Sequence, residues 1–255
     1  MIDEDGFLLK PYTRIPGEWE KEVMIKRAGK ETSIDIPVRI RQVPGDGNCL
    51  FHSISTCFAY SVNDTHLDLR NVESLEWLYQ NSARLRQQAV DCLEQKRKLL
   101  FLQGHEYLKA QDLVEAAASQ YGISGPEYCD LMRQDSYWGG GPEIVALCNV
   151  LQRPIHVYEL FAQGEKFVLR RMACFGSPKF DKQQALHILS ADSRFPDLVP
   201  GKQLSAGNHF LAMFPEQRKK KGVRGGDDAN EPDEIEDSPS LKPSSWWRRV
   251  LLLES

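Results

Sequence analysis

Apolar side chains alternate at Ile34, Ile36, Val38 and Ile40, the two-residue period of a half-buried strand. Pro37 inside that run points to a sheet edge, because proline brings no amide hydrogen to a ladder. After the turn Pro44-Gly45-Asp46-Gly47-Asn48 the spacing lengthens. Leu50, Phe51, Ile54, Cys57 and Phe58 recur as along one face of a helix that opens at Cys49. A long helix is expected over 82–103, with Leu85, Ala89, Leu93 and Leu100 near one face and Gly104 ending it. Further helices are expected at 106–121, burying Leu113, Val114, Ala117 and Ala118, and at 126–132. The glycine turn Trp138-Gly139-Gly140-Gly141 then feeds a helix striped by Ile144, Leu147 and Leu151, with Pro142 suited to its first position. Beyond Pro154 the period returns to two, giving short strands at 155–160, 167–171, 186–189 and 208–214. The last places His209, Leu211 and Met213 on one face and Phe210, Ala212 and Phe214 on the other. Both faces are mostly apolar, which marks a central strand.

These elements delimit a domain at 34–215, after a charged arm over 1–33 that has one anchoring aromatic, Trp19. A tail follows over 216–255. Its basic run from Arg218 gives way to an acidic, proline-containing stretch with the composition of a disordered segment. Its apolar terminus, Trp246-Trp247-Arg248-Arg249-Val250-Leu251-Leu252-Leu253, is too short to span a bilayer but suits a weak contact with the domain, a partner or a membrane surface. At 255 residues, 41% hydrophobic and 27% charged, the chain can bury one sizeable core. A net charge of -4 gives no case for a nucleic-acid partner. The six cysteines include no Cys-x-x-Cys pair, so neither a metal nor another cofactor is expected. The start Met1-Ile2-Asp3-Glu4-Asp5 is acidic where a leader would be basic, and no apolar run spans a bilayer. A reducing cytoplasm or nucleus, with free thiols, is the expected setting.

Cys49 is the candidate for chemistry. The first turn of a helix offers unpaired backbone N–H groups and partial positive charge, which favour a thiolate and can hold an oxyanion. A cysteine nucleophile needs a base, which need not be near in sequence. Of six histidines, His209 stands at the start of the central strand, a rigid place from which to present an imidazole. His52 lies one helical turn from Cys49 but would be held to one side of the sulfur. His156 and His187 fall within strands, and His66 and His105 in or beside polar loops. Composition alone allows blander readings: a buried cysteine as a small hydrophobe, and a strand histidine bonded to a carbonyl.

Three segments together narrow the choice. Asp46-Gly47-Asn48-Cys49-Leu50-Phe51-His52-Ser53-Ile54 resembles the catalytic-cysteine motif of the ovarian tumour (OTU) family of cysteine proteases. Trp138-Gly139-Gly140 with Pro142-Glu143-Ile144, then Pro154-Ile155-His156-Val157-Tyr158, is similar to that family's middle segment. Asn208-His209-Phe210 resembles its catalytic-histidine segment. The resemblance implies a papain-like α+β fold of the OTU type, a central, mostly antiparallel sheet flanked by helices. It implies a monomeric deubiquitinase acting on ubiquitin or polyubiquitin conjugates through a thioester. Cys49 would be the nucleophile and His209 the general base and later acid, with the backbone from Asp46 to Cys49, including Gly47 and Asn48, forming the oxyanion hole. The expected pH dependence is that of a thiolate–imidazolium pair.

One position departs from the pattern. Many members carry Asp or Asn two residues after the histidine, and here that residue is Leu211. Asp46 is the family-consistent substitute for orienting His209; its other reading is a turn former bonded to its own backbone. Asn208 is a further option, weakened because adjacent strand residues face opposite ways. Trp138 reads as core, with contact to the substrate's C-terminal channel as its other role, and Glu143 reads as a favourable first-turn charge. Two other functions stay open: a catalytically weak or inactive ubiquitin-binding protein, and a papain-like hydrolase or acyltransferase on another substrate.

Overall fold

The computed structural model describes residues 23–26, 35–163, 166–192, 194–198 and 207–215. The tail over 216–255 and most of the arm over 1–33 lie outside these.

Strand β1 (Val23–Lys26) belongs to the arm, where no strand was expected, and pairs antiparallel with β2 (Asp35–Arg41). Pro37 is therefore not on a sheet edge: it stands opposite Met24. It is tolerated because the other neighbour of β2 begins its pairing only at Val38. Helix α1 (Cys49–Asn63) opens at the predicted residue, and its stripe of Leu50, Phe51, Ile54 and Cys57 is buried. Burying side chains such as Phe51 and Ile54 stabilises the fold by about 1.5–3 kcal/mol each.

Helix α2 (Val72–Leu93) differs from its sequence expectation at both ends. It starts ten residues earlier because Asn71 caps it, accepting from the amides of Glu73 and Ser74. It stops before the charged run Gln95-Lys96-Arg97-Lys98. Leu100 instead lies in a small hairpin of β3 (Leu99–Phe101) and β4 (Tyr107–Lys109), and Gly104 serves the turn between them at φ 57°. Helix α3 (Ala110–Gln120) buries the four predicted residues, and α4 (Gly125–Met132) opens with a capping box between Ser124 and Glu127. Helix α5 (Gly141–Leu151) follows the glycine turn.

The remaining strands are β5 (Ile155–Gln163), β6 (Lys166–Phe175), β7 (Leu186–Ala191) and β8 (His209–Pro215). The order is β1-β2-β8-β7-β5-β6, antiparallel except between β5 and β7 and at one β1–β6 pair, Ile25 with Leu169, which closes the sheet into a barrel. The class is α+β, and β8 is interior, as its two apolar faces required. Helix α1 packs on β8 and β7, and α2 lies against both α1 and α5. No helix among the described residues is long and apolar enough to cross a membrane.

Candidate active site

The turn between β2 and α1 depends on a glycine. Gly47 has φ 93°, and a Cβ there would stand 2.7 Å from the Asp135 carbonyl oxygen and 2.9 Å from that of Ser136. Asn48 occupies the N-cap position of α1 without capping it; its side-chain oxygen accepts from Arg86 instead. Cys49 begins the helix and is 6% exposed. Its sulfur accepts a hydrogen bond from the Phe210 amide at 3.5 Å, and the amides of Leu50 and Cys49 itself also act on it. Because Phe210 directly follows His209, the start of β8 and the start of α1 lie against each other. His209 is buried, opposite Ala191 of β7.

Burial governs the resting charges. It pushes the Cys49 thiol up to about 11; the Phe210 and Leu50 amides offset part of this, and the charge of Asp46 adds to it. Burial likewise pulls His209 down to about 4, opposed by Asp46 and reinforced by His52. Burial thus favours a neutral thiol and a neutral imidazole, whereas the helix terminus alone favours a thiolate. Desolvation outweighs a half-unit of helix charge at a sulfur this enclosed. A consequence for pH follows from the sign of the shift. Only the thiolate alkylates, so modification of Cys49 by iodoacetamide should climb about tenfold per pH unit through neutrality toward 11. A plateau below pH 8 would show a preformed ion pair instead.

Asp46 directs its hydrogen bonds toward the turn. Its carboxylate accepts from the Asn48 amide at 3.0 Å and faces His52 Nε2 at 3.2 and 3.3 Å. Burial pushes its carboxyl up, but His52, the Asn48 amide and the Tyr79 hydroxyl together hold it below its ordinary value. Its effect on His209 is Coulombic. Leu211 is fully buried opposite Leu189, a core residue with nothing to offer an imidazole. Asn208 bonds through its backbone to the Ala191 carbonyl, and its side-chain oxygen meets no donor among the described residues.

Trp138 is not core: it is 38% exposed at the rim of the glycine turn. Beside it Gly139 packs closely, since a Cβ there would come within 2.9 Å of the Leu50 side chain and 3.0 Å of the Phe51 ring, which would have to shift. Glu143 is fully buried and closes the start of α5, accepting from the Gly140 amide at 2.7 Å and the Tyr128 hydroxyl at 2.9 Å. Burial raises its pKa.

Two residues at the site were not found by sequence reasoning. His52, set aside for its angle to the sulfur, is fully buried and bridges Asp46 to Ser82 Oγ, 2.8 Å from its Nδ1. Arg86 is fully buried on α2 and donates to the Gly47 carbonyl in the cysteine turn and to the Tyr137 carbonyl in the loop before α5. Its signal was available: in the sequence it lies on the same helical face as Leu78, Ser82 and Ala89, where a charged residue needs partners. No group of three or more metal-ligating side chains occurs among the described residues.

A buried cysteine at a helix N-terminus, packed on a sheet whose central strand starts with a histidine, is the arrangement expected of a papain-like cysteine protease. The family model described as OTU-like cysteine protease matches residues 44–192, and the chain belongs to that family. The chain is also 34% identical over 125 residues to the ubiquitin thioesterase otu2 of Schizosaccharomyces pombe, a match covering 49% of this chain and 34% of that protein. It thus spans about a third of the relative's length. Among solved structures it is similar to the OTU domain protease of Farallon virus, with TM-score 0.40, 18% identity and coverage of 78% of this chain and 98% of that one. The Hazara virus OTU bound to ubiquitin gives TM-score 0.38, 19% identity and coverage of 79% and 96%.

Proposed function

We propose that the chain is a deubiquitinase, hydrolysing bonds at the C-terminus of ubiquitin through a thioester on Cys49. The observation that carries this reading is the Cys49–Phe210 contact, which sets the sulfur beside the strand residue next to His209. Family membership supplies the class of reaction, and the otu2 relative supplies ubiquitin as the substrate.

In this reading neutral His209 takes the thiol proton as Cys49 attacks the carbonyl of the ubiquitin C-terminal glycine. The resulting imidazolium protonates the departing amine, and water then attacks the thioester with His209 again as base. The amides of Phe210, Leu50 and Cys49, which act on the sulfur, are the candidate donors for the oxyanion. The Asn48 amide is engaged by Asp46. Asp46 stabilises the imidazolium by its charge, and exposed Trp138 is a wall for the incoming C-terminal peptide. We further propose a monomer in the cytoplasm or nucleus. All six cysteines are free thiols, which fits a reducing compartment.

A ubiquitin bearing a C-terminal electrophile tests the reading: the full chain should form a covalent adduct at Cys49. Labelling by a small electrophile without reaction with the ubiquitin probe would move the reading to another substrate.

A further inference from the structure

Arg86 is the largest fully buried side chain of the described residues, yet no carboxylate holds it closely. Its nearest ion-pair partner, Asp135, is 3.9 Å away and 72% exposed, a screened contact of little worth. Neutral oxygens do the work instead. Nε and Nη2 both donate to the Asn48 side-chain oxygen, at 2.9 and 2.8 Å. Nη2 also donates to the Gly47 carbonyl at 3.0 Å and the Tyr137 carbonyl at 2.8 Å, and Nη1 to the Met132 carbonyl at 2.9 Å. The guanidinium lies over the Phe51 ring at 4.3 Å. These partners belong to the Gly47–Asn48 turn, the first turn of α1, the last residue of α4 and the loop between α4 and α5.

The Gly47 contact has a specific consequence. A peptide unit is planar, with its C=O and N–H pointing opposite ways. The unit joining Gly47 to Asn48 is held at both ends, its carbonyl by Arg86 and its N–H by the Asp46 carboxylate at 3.0 Å. Left alone it would be among the softest units of the turn, because glycine at φ 93° opposes rotation with no side chain. Rotating that plane would re-aim the amides that follow it, beginning with that of Cys49.

We propose that Arg86 is a positioning residue for catalysis, clamping the Gly47–Asn48 peptide so that the first amides of α1 stay aimed at the Cys49 sulfur. The inference rests on the reading of Cys49 as nucleophile. Lysine is no substitute, because a single ammonium cannot reach four separated oxygens that a planar fork of five N–H groups spans.

The test is Arg86→Lys in the full chain, with a fluorogenic ubiquitin C-terminal substrate and a melting curve to confirm folding. The expected result at a temperature well below the melting point is kcat reduced about thirtyfold or more and KM within about threefold of wild type. A folded variant with kcat within threefold overturns the proposal. If Arg86→Lys does not fold, Asn48→Ala takes its place, since it removes the one acceptor that Nε and Nη2 share and so frees the guanidinium to swing away from the Gly47 carbonyl. It should lower kcat at least fivefold with KM little changed, and an unaltered kcat overturns the clamp. If wild type turns over no ubiquitin substrate, the substrate reading has failed and Cys49 alkylation by iodoacetamide becomes the readout. A tenfold change in that rate in Arg86→Lys supports the clamp, and an unchanged rate overturns it.

Discussion

Replacing His209 by alanine should lower kcat toward ubiquitin substrates about a thousandfold or more, while KM stays within a few-fold. The size follows from what the imidazole must do. Cys49 is held as a thiol with a pKa of about 11, so at neutral pH fewer than about one sulfur in a thousand carries charge without help. His209, pulled down to about 4, is neutral and ready to accept the proton as the carbon–sulfur bond forms. Without it the thiol must lose its proton to water. A thousandfold loss corresponds to about 4 kcal/mol of transition-state stabilisation. Because the imidazole acts at the transition state and not in holding ubiquitin, the loss should appear in kcat. Raising the pH should partly restore the variant by forming thiolate directly. Retention of wild-type kcat would remove His209 from the mechanism.

The second large effect is on stability, at Gly47. An alanine there suffers a left-handed backbone, costing about 1–2 kcal/mol, and a methyl only 2.7 Å from the Asp135 oxygen, which is backbone and cannot swing aside. Overpacking of this kind adds roughly 1–3 kcal/mol, so Gly47→Ala should destabilise by about 2–5 kcal/mol and lower the melting temperature by about 4–20 °C. Gly104→Ala separates the two causes. Gly104 also has positive φ, but its Cβ would meet nothing within 4 Å, so only the backbone strain applies. Equal melting shifts for the two variants would show that the Asp135–Ser136 segment yields to accommodate the methyl.

The placement of the candidate site's elements was readable because they are regular. The alternation in β8 placed its strand inside the sheet before any pairing was known, and the glycine turn placed Cys49 at a helix start. Short or asymmetric features were harder to read. The strands of the β3–β4 hairpin have three residues each, too few to tell a period of two from one of 3.6, and Leu100 could be counted on a helix just as easily. The first three turns of α2 carry exposed Trp77 and Tyr79, which blur the stripe that Leu78 begins.

The contacts within the site were harder still, because they depend on which side chain reaches which. Asp46 was a candidate to orient His209 or to bond its own turn; its hydrogen bonds run to the Asn48 amide, as the second reading had it, and to His52 one turn into α1. Arg86 joins residues 38 to 51 positions away, a separation at which one sequence carries no pairing signal. Helix-terminal charge, estimated in isolation, also pointed to a thiolate until burial of the sulfur was known.

Intact-mass analysis of the full chain after incubation with a ubiquitin bearing a C-terminal electrophile tests the central claim most directly. The account predicts one added ubiquitin, mapped by peptide analysis to Cys49 and absent from Cys49→Ala, although five other cysteines are present. No adduct on a folded chain, or an adduct that survives in Cys49→Ala, would contradict it.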